Sequence, residues 1–459
     1  MKKKTIIIAC IVLAALLAVP LLNLFIGKPK GTPLSATKPA DPHLARVTAI
    51  FEEKCAHCHV PGTDAPFYAK LPVASTVIAR DVANGLRMID LVAELFPAEG
   101  AGISEPALAK IESEIVKGDM PPVAYVVAHW NSVLSREEKA AVQEWVDQSR
   151  VEHHPWAGIP ENLRKALIPP IPASLPVDAK KVELGRKLYH DNRLSGDNTV
   201  SCATCHDLAK GGTDLEKVST GVRGQKGGIN APTVFNAAFQ FAQFWDGRAK
   251  NLEDQAAGPP NNPIEMDSNW PQIIAKLNAD AEFSKEFKAS YPEGFTDANI
   301  CDAIASFERT LLTPDSRFDK YLAGETTALS EEETRGHRIF MDTGCATCHS
   351  GVLLGGASYE LMGRHADYFK DRGGDVTDAD KGRISASKNE KDLHKFKVPT
   401  LRNIAKTPPY FHDGSTSDLK EAVRVMAKYQ SDKNLSDAQI SAVAAFLQTL
   451  TGEYQGKPL

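Results

Sequence analysis

The chain carries the pattern Cys-x-x-Cys-His three times, at Cys55 to His59, Cys202 to His206 and Cys345 to His349. No other feature restricts the fold as tightly. Two thiols three residues apart can each bond covalently to a vinyl group of one porphyrin, and the adjacent histidine then turns under the ring to bind its iron. Zinc would need four ligands, and each motif offers at most three. The expectation is three molecules of haem c, attached through Cys55 and Cys58, Cys202 and Cys205, and Cys345 and Cys348, with His59, His206 and His349 as iron ligands. Of the eight cysteines only Cys10 and Cys301 remain. One lies in the N-terminal apolar run and the other flanks an apolar helix stripe, where a small core thiol is the ordinary role. Cysteine usage therefore reads as cofactor attachment, not a disulfide framework.

With 459 residues the chain has room for about three domains of ordinary size. Hydrophobic content of 42% and charged content of 24% are those of a globular protein. A net charge of −5 gives no basic field, so nucleic acid is not an expected partner.

Three lysines, Lys2 to Lys4, precede an apolar run from Ile6 to Ile26. As a helix this run would rise about 31 Å, enough to cross the hydrocarbon core. The expectation is one transmembrane helix over 1–27, single-pass in the inner (cytoplasmic) membrane, with the catalytic body facing the periplasm. A cleaved signal peptide is the competing reading, although Leu22-Asn23-Leu24-Phe25 is a poor cleavage site. Ile7-Ile8-Ala9-Cys10 also resembles a lipobox, but few residues precede that cysteine and the apolar run continues past it.

The motif cysteines fall 147 and then 143 residues apart. That spacing predicts a mainly α fold of three cytochrome c-like haem domains with long loops, preceded by the membrane helix. The expected boundaries are an anchor at 1–27, a linker at 28–42, a first haem domain at 43–152, a Pro-rich linker at 153–177, a second haem domain at 178–320 and a third at 321–459. The second and third motifs share the pentapeptide Cys-Ala-Thr-Cys-His, each followed by a Gly-Gly pair, Gly211-Gly212 and Gly355-Gly356. Ser135 with Glu138, and Ser436 with Gln439, read as capping boxes of helices that close their modules. In the middle module Ile300, Ile304, Phe307 and Leu311 form a helical apolar stripe.

The sixth iron ligand decides what each haem does: a His/Met haem is closed and passes electrons, whereas an open one can do chemistry. Met426 is the candidate for the third haem. Met120, on the stiff Asp119-Met120-Pro121-Pro122 loop, is the candidate for the first, ahead of Met88 and His129. His57, inside the first motif, cannot reach its own iron and reads as an exposed spacer.

The middle module holds the stretches Asn230-Ala231-Pro232-Thr233-Val234-Phe235-Asn236, Phe244-Trp245-Asp246-Gly247-Arg248 and Pro263-Ile264-Glu265-Met266. Together with Pro399-Thr400-Leu401-Arg402-Asn403 and Pro409-Tyr410-Phe411-His412-Asp413-Gly414, these resemble the bacterial dihaem cytochrome c peroxidase family over roughly 165–453. With an added N-terminal haem domain and anchor, the chain resembles the trihaem members, described as quinol peroxidases. The resemblance implies that the haem at His206 is the peroxidatic one. It gives Glu265 the role of distal acid–base, with Gln255 supporting it, and places Trp245 between two haems. It makes His349 and Met426 the axial ligands of the electron-transfer haem. It also implies one calcium ion, held by Asn230 and the backbone carbonyls of Thr407 and Pro409. Without the family context Glu265 would read as a surface carboxylate, Trp245 as a packed aromatic and Met266 as core or ligand.

One departure stands out. Many members carry a capping histidine on the loop that here reads Ser219-Thr220-Gly221-Val222-Arg223-Gly224, with Val222 in its place. No histidine lies between His206 and His337. A peroxidatic haem that is open or water-bound as isolated is therefore expected.

Three functions follow for testing. The leading one is reduction of hydrogen peroxide to water, with electrons from quinol or a small cytochrome c. A second is oxidation of a partner protein's tryptophan, against which Met426 stands where such relatives have tyrosine. A third is a pure electron carrier, in which an open iron beside Glu265 and Gln255 would have no use. A homodimer is among the allowed assemblies.

Overall fold

The computed structural model describes residues 18–25, 29, 32–97 and 102–459. The chain divides into two compact units, Met1–Pro155 and Trp156–Leu459.

In the first unit the long helices are α1 (Pro42–Lys54), α2 (Pro72–Met88), α3 (Glu105–Lys117) and α4 (Arg136–His153), of which α1, α3 and α4 supply core residues. Asp41 starts α1 by accepting from the backbone N–H of His43 and Leu44, and Pro42 sits where a missing N–H costs nothing. Ser135 and Glu138 form the expected capping box of α4. Val47, Leu108, Val142 and Val146 are fully enclosed, and Phe51 meets Trp145 edge-on at 6.3 Å.

The spanning helix expected over 1–27, and the single-pass membrane location that rested on it, are corrected here. Among the described residues no helix is long and apolar enough to cross a membrane. Residues 1–17, with Cys10, and 26–28 lie outside the described residues. Residues 18–25 are helical, and within them Asn23 is 1% exposed, its Nδ2 donating to the Ala128 carbonyl at 2.6 Å. Hydropathy reports an apolar run but not what covers it. Here the amide nitrogen of a buried asparagine in that run donates to a protein carbonyl.

The second unit contains two helix pairs built alike. Helix α5 (Ala179–Tyr189) packs on α7 (Asp297–Glu308), with the short α6 (Leu252–Ala256) beside them. Helix α8 (Glu331–Asp342) packs on α10 (Asp437–Gln448), after α9 (Leu419–Ser431). Each pair crosses at a glycine. A Cβ on Gly185 would stand 1.8 Å from the Ala303 carbonyl oxygen, and one on Gly336 would stand 1.9 Å from that of Ala442. Both crossings then seat a phenylalanine, Phe307 or Phe446, against the same glycine. Gly336→Ala is therefore expected to destabilise the fold by about 1–3 kcal/mol, since backbone rather than a mobile side chain must give way. A thermal melt of the haem-loaded chain reads this, and an unchanged melting temperature would show the helices free to part.

The stripe Ile300, Ile304, Phe307 and Leu311 is buried, and Cys301 lies in the same core at 4% exposure. Strand is scarce: β1 (Tyr359–Leu361) pairs antiparallel with β2 (Lys395–Lys397) in the register Tyr359 to Lys397. The proline-rich stretch is extended apart from one short turn of helix, as its composition implies. It is nevertheless packed: Ile168 and Ile171 are buried, and the Pro169 carbonyl accepts from Arg402.

Candidate functional site

The three Cys-x-x-Cys-His segments are built alike. Each motif histidine has Nδ1 directed at a backbone carbonyl: His59 at Ile89 (3.3 Å), His206 at Gly212 (3.3 Å) and His349 at Leu354 (2.9 Å). With Nδ1 so engaged, Nε2 is the nitrogen suited to bind a metal. Burial holds all three imidazoles below the ordinary histidine value, so they stay neutral, as metal ligation requires. None of the six motif cysteines is in a disulfide among the described residues, and burial pushes Cys55 up to about 12 and Cys58 to about 11.

The Gly-Gly pairs explain two of these contacts. Both pairs adopt positive φ, folding the chain back so that its carbonyls meet the motif histidine. A Cβ on Gly355 would come within 3.4 Å of His349 Nδ1.

Around the third motif lies a cavity lined by Cys345, Cys348, His349 and Met426, with Trp245 at its wall. The structure thus brings the sequence-predicted His349 and Met426 to one space. This residue set fits a haem: two thiols, an oriented imidazole and a thioether around an apolar cavity.

In the first unit Met120 stands 45% exposed on its loop, while His129 is 3% exposed. His129 is already engaged, with its ring nitrogens near Tyr68 Oη (3.3 and 3.4 Å) and its face stacked on Tyr125 at 3.9 Å. Met120 is therefore the freer of the two. Met88 ends α2. His57 is not the exposed spacer its position suggests: it is half-buried, with Nδ1 2.6 Å from Tyr125 Oη.

At the second motif, Glu265 is half-buried, and Asn262 Nδ2 donates to its Oε1 at 2.6 Å. Its burial holds the carboxyl above the usual glutamate value, opposed by the nearby Arg248 guanidinium and by the Asn262 bond. Its charge is felt at the Cys205 thiol, so the carboxyl stands near that attachment point. Met266 is 3% exposed in the core. Val222 is fully buried in that same core, its N–H donating to the Glu265 carbonyl at 2.9 Å. The loop in question thus lies directly on the Glu265 segment and presents no imidazole. Gln255 lies half-buried near the end of α6.

Trp245 is fixed by its Nε1, which donates to the Asn230 carbonyl at 2.9 Å, and its ring meets His412 edge-on at 6.4 Å. Asn230, Thr407 and Pro409 line the same cavity as Trp245. Asn230 Nδ2 donates to the Glu216 carbonyl at 3.0 Å, which leaves Oδ1 on the acceptor side. An amide oxygen with backbone carbonyls is a hard-oxygen set of the kind calcium takes.

Reading the sequence alone missed two groups. Asn262 positions Glu265, and its place three residues earlier was a signal. The other is buried Asp380, which accepts from His412 Nε2 (2.7 Å), from both terminal nitrogens of Arg372 and from Thr377. No local pattern announces that contact, because it joins residues 32 apart.

Comparison with known proteins agrees with this geometry. The description "Di-haem cytochrome c peroxidase" matches residues 179–327, "Haem-binding domain" 14–148, and "Cytochrome c" 333–451. The chain is 45% identical over 412 residues to cytochrome c peroxidase Ccp of Escherichia coli (strain K12), covering 89% of this chain and 88% of that protein. It is 44% identical to cytochrome c551 peroxidase of Nitrosomonas europaea, covering 62% and 84% respectively. A solved MauG-like protein associated with microbial copper homeostasis superposes with a TM-score of 0.54 at 31% identity, covering 63% of this chain and 94% of that one. The chain belongs to the di-haem cytochrome c peroxidase family and is a haem peroxidase.

Proposed function

We propose that the chain reduces hydrogen peroxide to water with electrons from the quinol pool or a small cytochrome c, relayed through three covalently bound haems. On this reading the haem modules span 43–152, 178–320 and 321–459. The carrying observation is the half-buried Glu265 near Cys205, its carboxyl raised by burial and steadied by Asn262.

When bound, haem would supply an iron for peroxide and relay the donor's electrons to it. The chain supplies the proton chemistry. Glu265 would take a proton from the near peroxide oxygen and return it to the far one, which leaves as water; two electrons from the donor and two protons from solvent then convert the remaining oxygen to a second water. Asn262 holds one carboxyl oxygen so that the other faces the substrate, and Gln255 supports that placement. Trp245, pinned to the Asn230 carbonyl, bridges the second and third motifs. His206 would hold one haem iron, His59 and Met120 another, and His349 with Met426 a third. Asn230, Thr407 and Pro409 would hold one calcium ion beside Trp245.

Val222 gives the reading a spectroscopic consequence. The oxidised, haem-loaded chain should show a high-spin ferric signal by electron paramagnetic resonance, and Val222→His should diminish it. A wild-type spectrum with no high-spin component would contradict an uncapped site. The donor is tested by steady-state peroxide consumption with a reduced quinol and, separately, with a reduced small cytochrome c. Failure of both to support turnover would sink the reading.

A further inference from the structure

Lys397 has a role that neither the peroxide chemistry nor the fold accounts for. It ends β2, opposite Tyr359, and is 4% exposed. Its backbone N–H donates to the Trp245 carbonyl at 2.8 Å, which fixes the residue beside that tryptophan. Lys397 lines the cavity that Cys345, Cys348, His349 and Met426 also line. Among the described residues its Nζ meets only the neutral amide oxygen of Gln240.

The other charged groups on that wall are already matched. Arg364 pairs with Glu360 at 2.5 Å, and His412 pairs with Asp380 at 2.7 Å. Among the described residues no carboxylate lies within ion-pairing reach of Lys397. Burial alone pushes its amine down to about 7, and no negative group acts to raise it. A buried ammonium facing an apolar cavity is costly unless an anion enters with the cavity's occupant. Haem carries two carboxylates, so the occupant implied by Cys345, Cys348 and His349 brings the missing charge.

We propose that Lys397 Nζ is the anchor for a haem carboxylate in the third motif's cavity, and that Gln240 positions it there. The inference rests on a haem being attached at Cys345 and Cys348. Lys397 is a positioning residue: it fixes the tilt of the haem relative to Trp245 and adds a positive charge that favours the reduced form.

The test is a spectroelectrochemical titration of the full haem-loaded chain, comparing wild type with Lys397→Met, Lys397→Gln and Lys397→Arg. Met426→Leu identifies which redox step belongs to this haem. Loss of the charge should shift that step to lower potential by about tenfold in its reduction equilibrium, about 59 mV for one electron. Lys397→Arg should restore it, and the other steps should stay in place. If Lys397→Met loses this haem while Lys397→Arg keeps it, the anchoring is equally supported. An unmoved step with haem bound in both neutral variants overturns the inference, as does loss of the haem in the arginine variant too. Wild-type peptides found by mass spectrometry to carry no haem at Cys345 and Cys348 would instead defeat the reading beneath it.

Discussion

Replacing Glu265 by glutamine should leave haem content unchanged and lower peroxide turnover by about 10²–10⁴-fold. Glutamine keeps the size and the hydrogen bond to Asn262 but can neither take nor return a proton. The sign of the pH dependence follows from the environment. Burial raises the carboxyl above the ordinary glutamate value, so it keeps its proton to higher pH than an exposed glutamate would. To accept the first peroxide proton it must be ionised. In wild type, kcat/KM should therefore rise with pH along a limb lying above the usual glutamate range, and Glu265→Gln should lack that limb. Turnover that survives the substitution undiminished would remove Glu265 from the chemistry.

The largest effect on stability is expected at Arg402. Its side chain is 1% exposed and joins three segments of the second unit. Nη1 donates to Asp319 at 2.7 Å and to Ser316 at 3.3 Å, Nη2 to the Pro169 carbonyl at 3.0 Å, and Nε to the Val352 carbonyl at 3.0 Å. Arg402→Met would leave Asp319, 6% exposed, as a buried carboxylate without its counter-ion. Such a loss costs about 3–5 kcal/mol. A denaturant titration should show a lower midpoint with an unchanged slope. The double variant Arg402→Met with Asp319→Asn should cost less than the sum of the two single changes, because the two groups act as a pair. A midpoint within error of wild type would show that solvent reaches the pair.

The two cases mark what a linear reading can and cannot see. The Cys-x-x-Cys-His motifs, the capping serines Ser135 and Ser436 and the stripe Ile300 to Leu311 are local patterns, and local patterns survive in a string of letters. Glu265 was legible only through resemblance, because a lone carboxylate has no distinctive spacing. Arg402 sat in a quoted motif, yet its partners Asp319 and Pro169 are 83 and 233 residues away. The related helix pairs also left a trace that went unread: Gly185-Arg186-Lys187-Leu188-Tyr189 matches Gly336-His337-Arg338-Ile339-Phe340 in pattern, and both glycines mark the crossing. Residues 18–25 erred in the opposite direction. Their apolar letters suggested lipid, whereas the buried amide of Asn23 finds its partner in a folded carbonyl.

The central claim is that this chain passes electrons to peroxide and releases water. Its most direct test is the stoichiometry of the haem-loaded chain in steady state: reduced donor consumed per hydrogen peroxide removed, with dissolved oxygen followed in the same cell. Two electrons should leave the donor per peroxide, as one quinol or two reduced cytochromes c, with no oxygen released. Peroxide removal without donor oxidation, or with oxygen evolved, would contradict it.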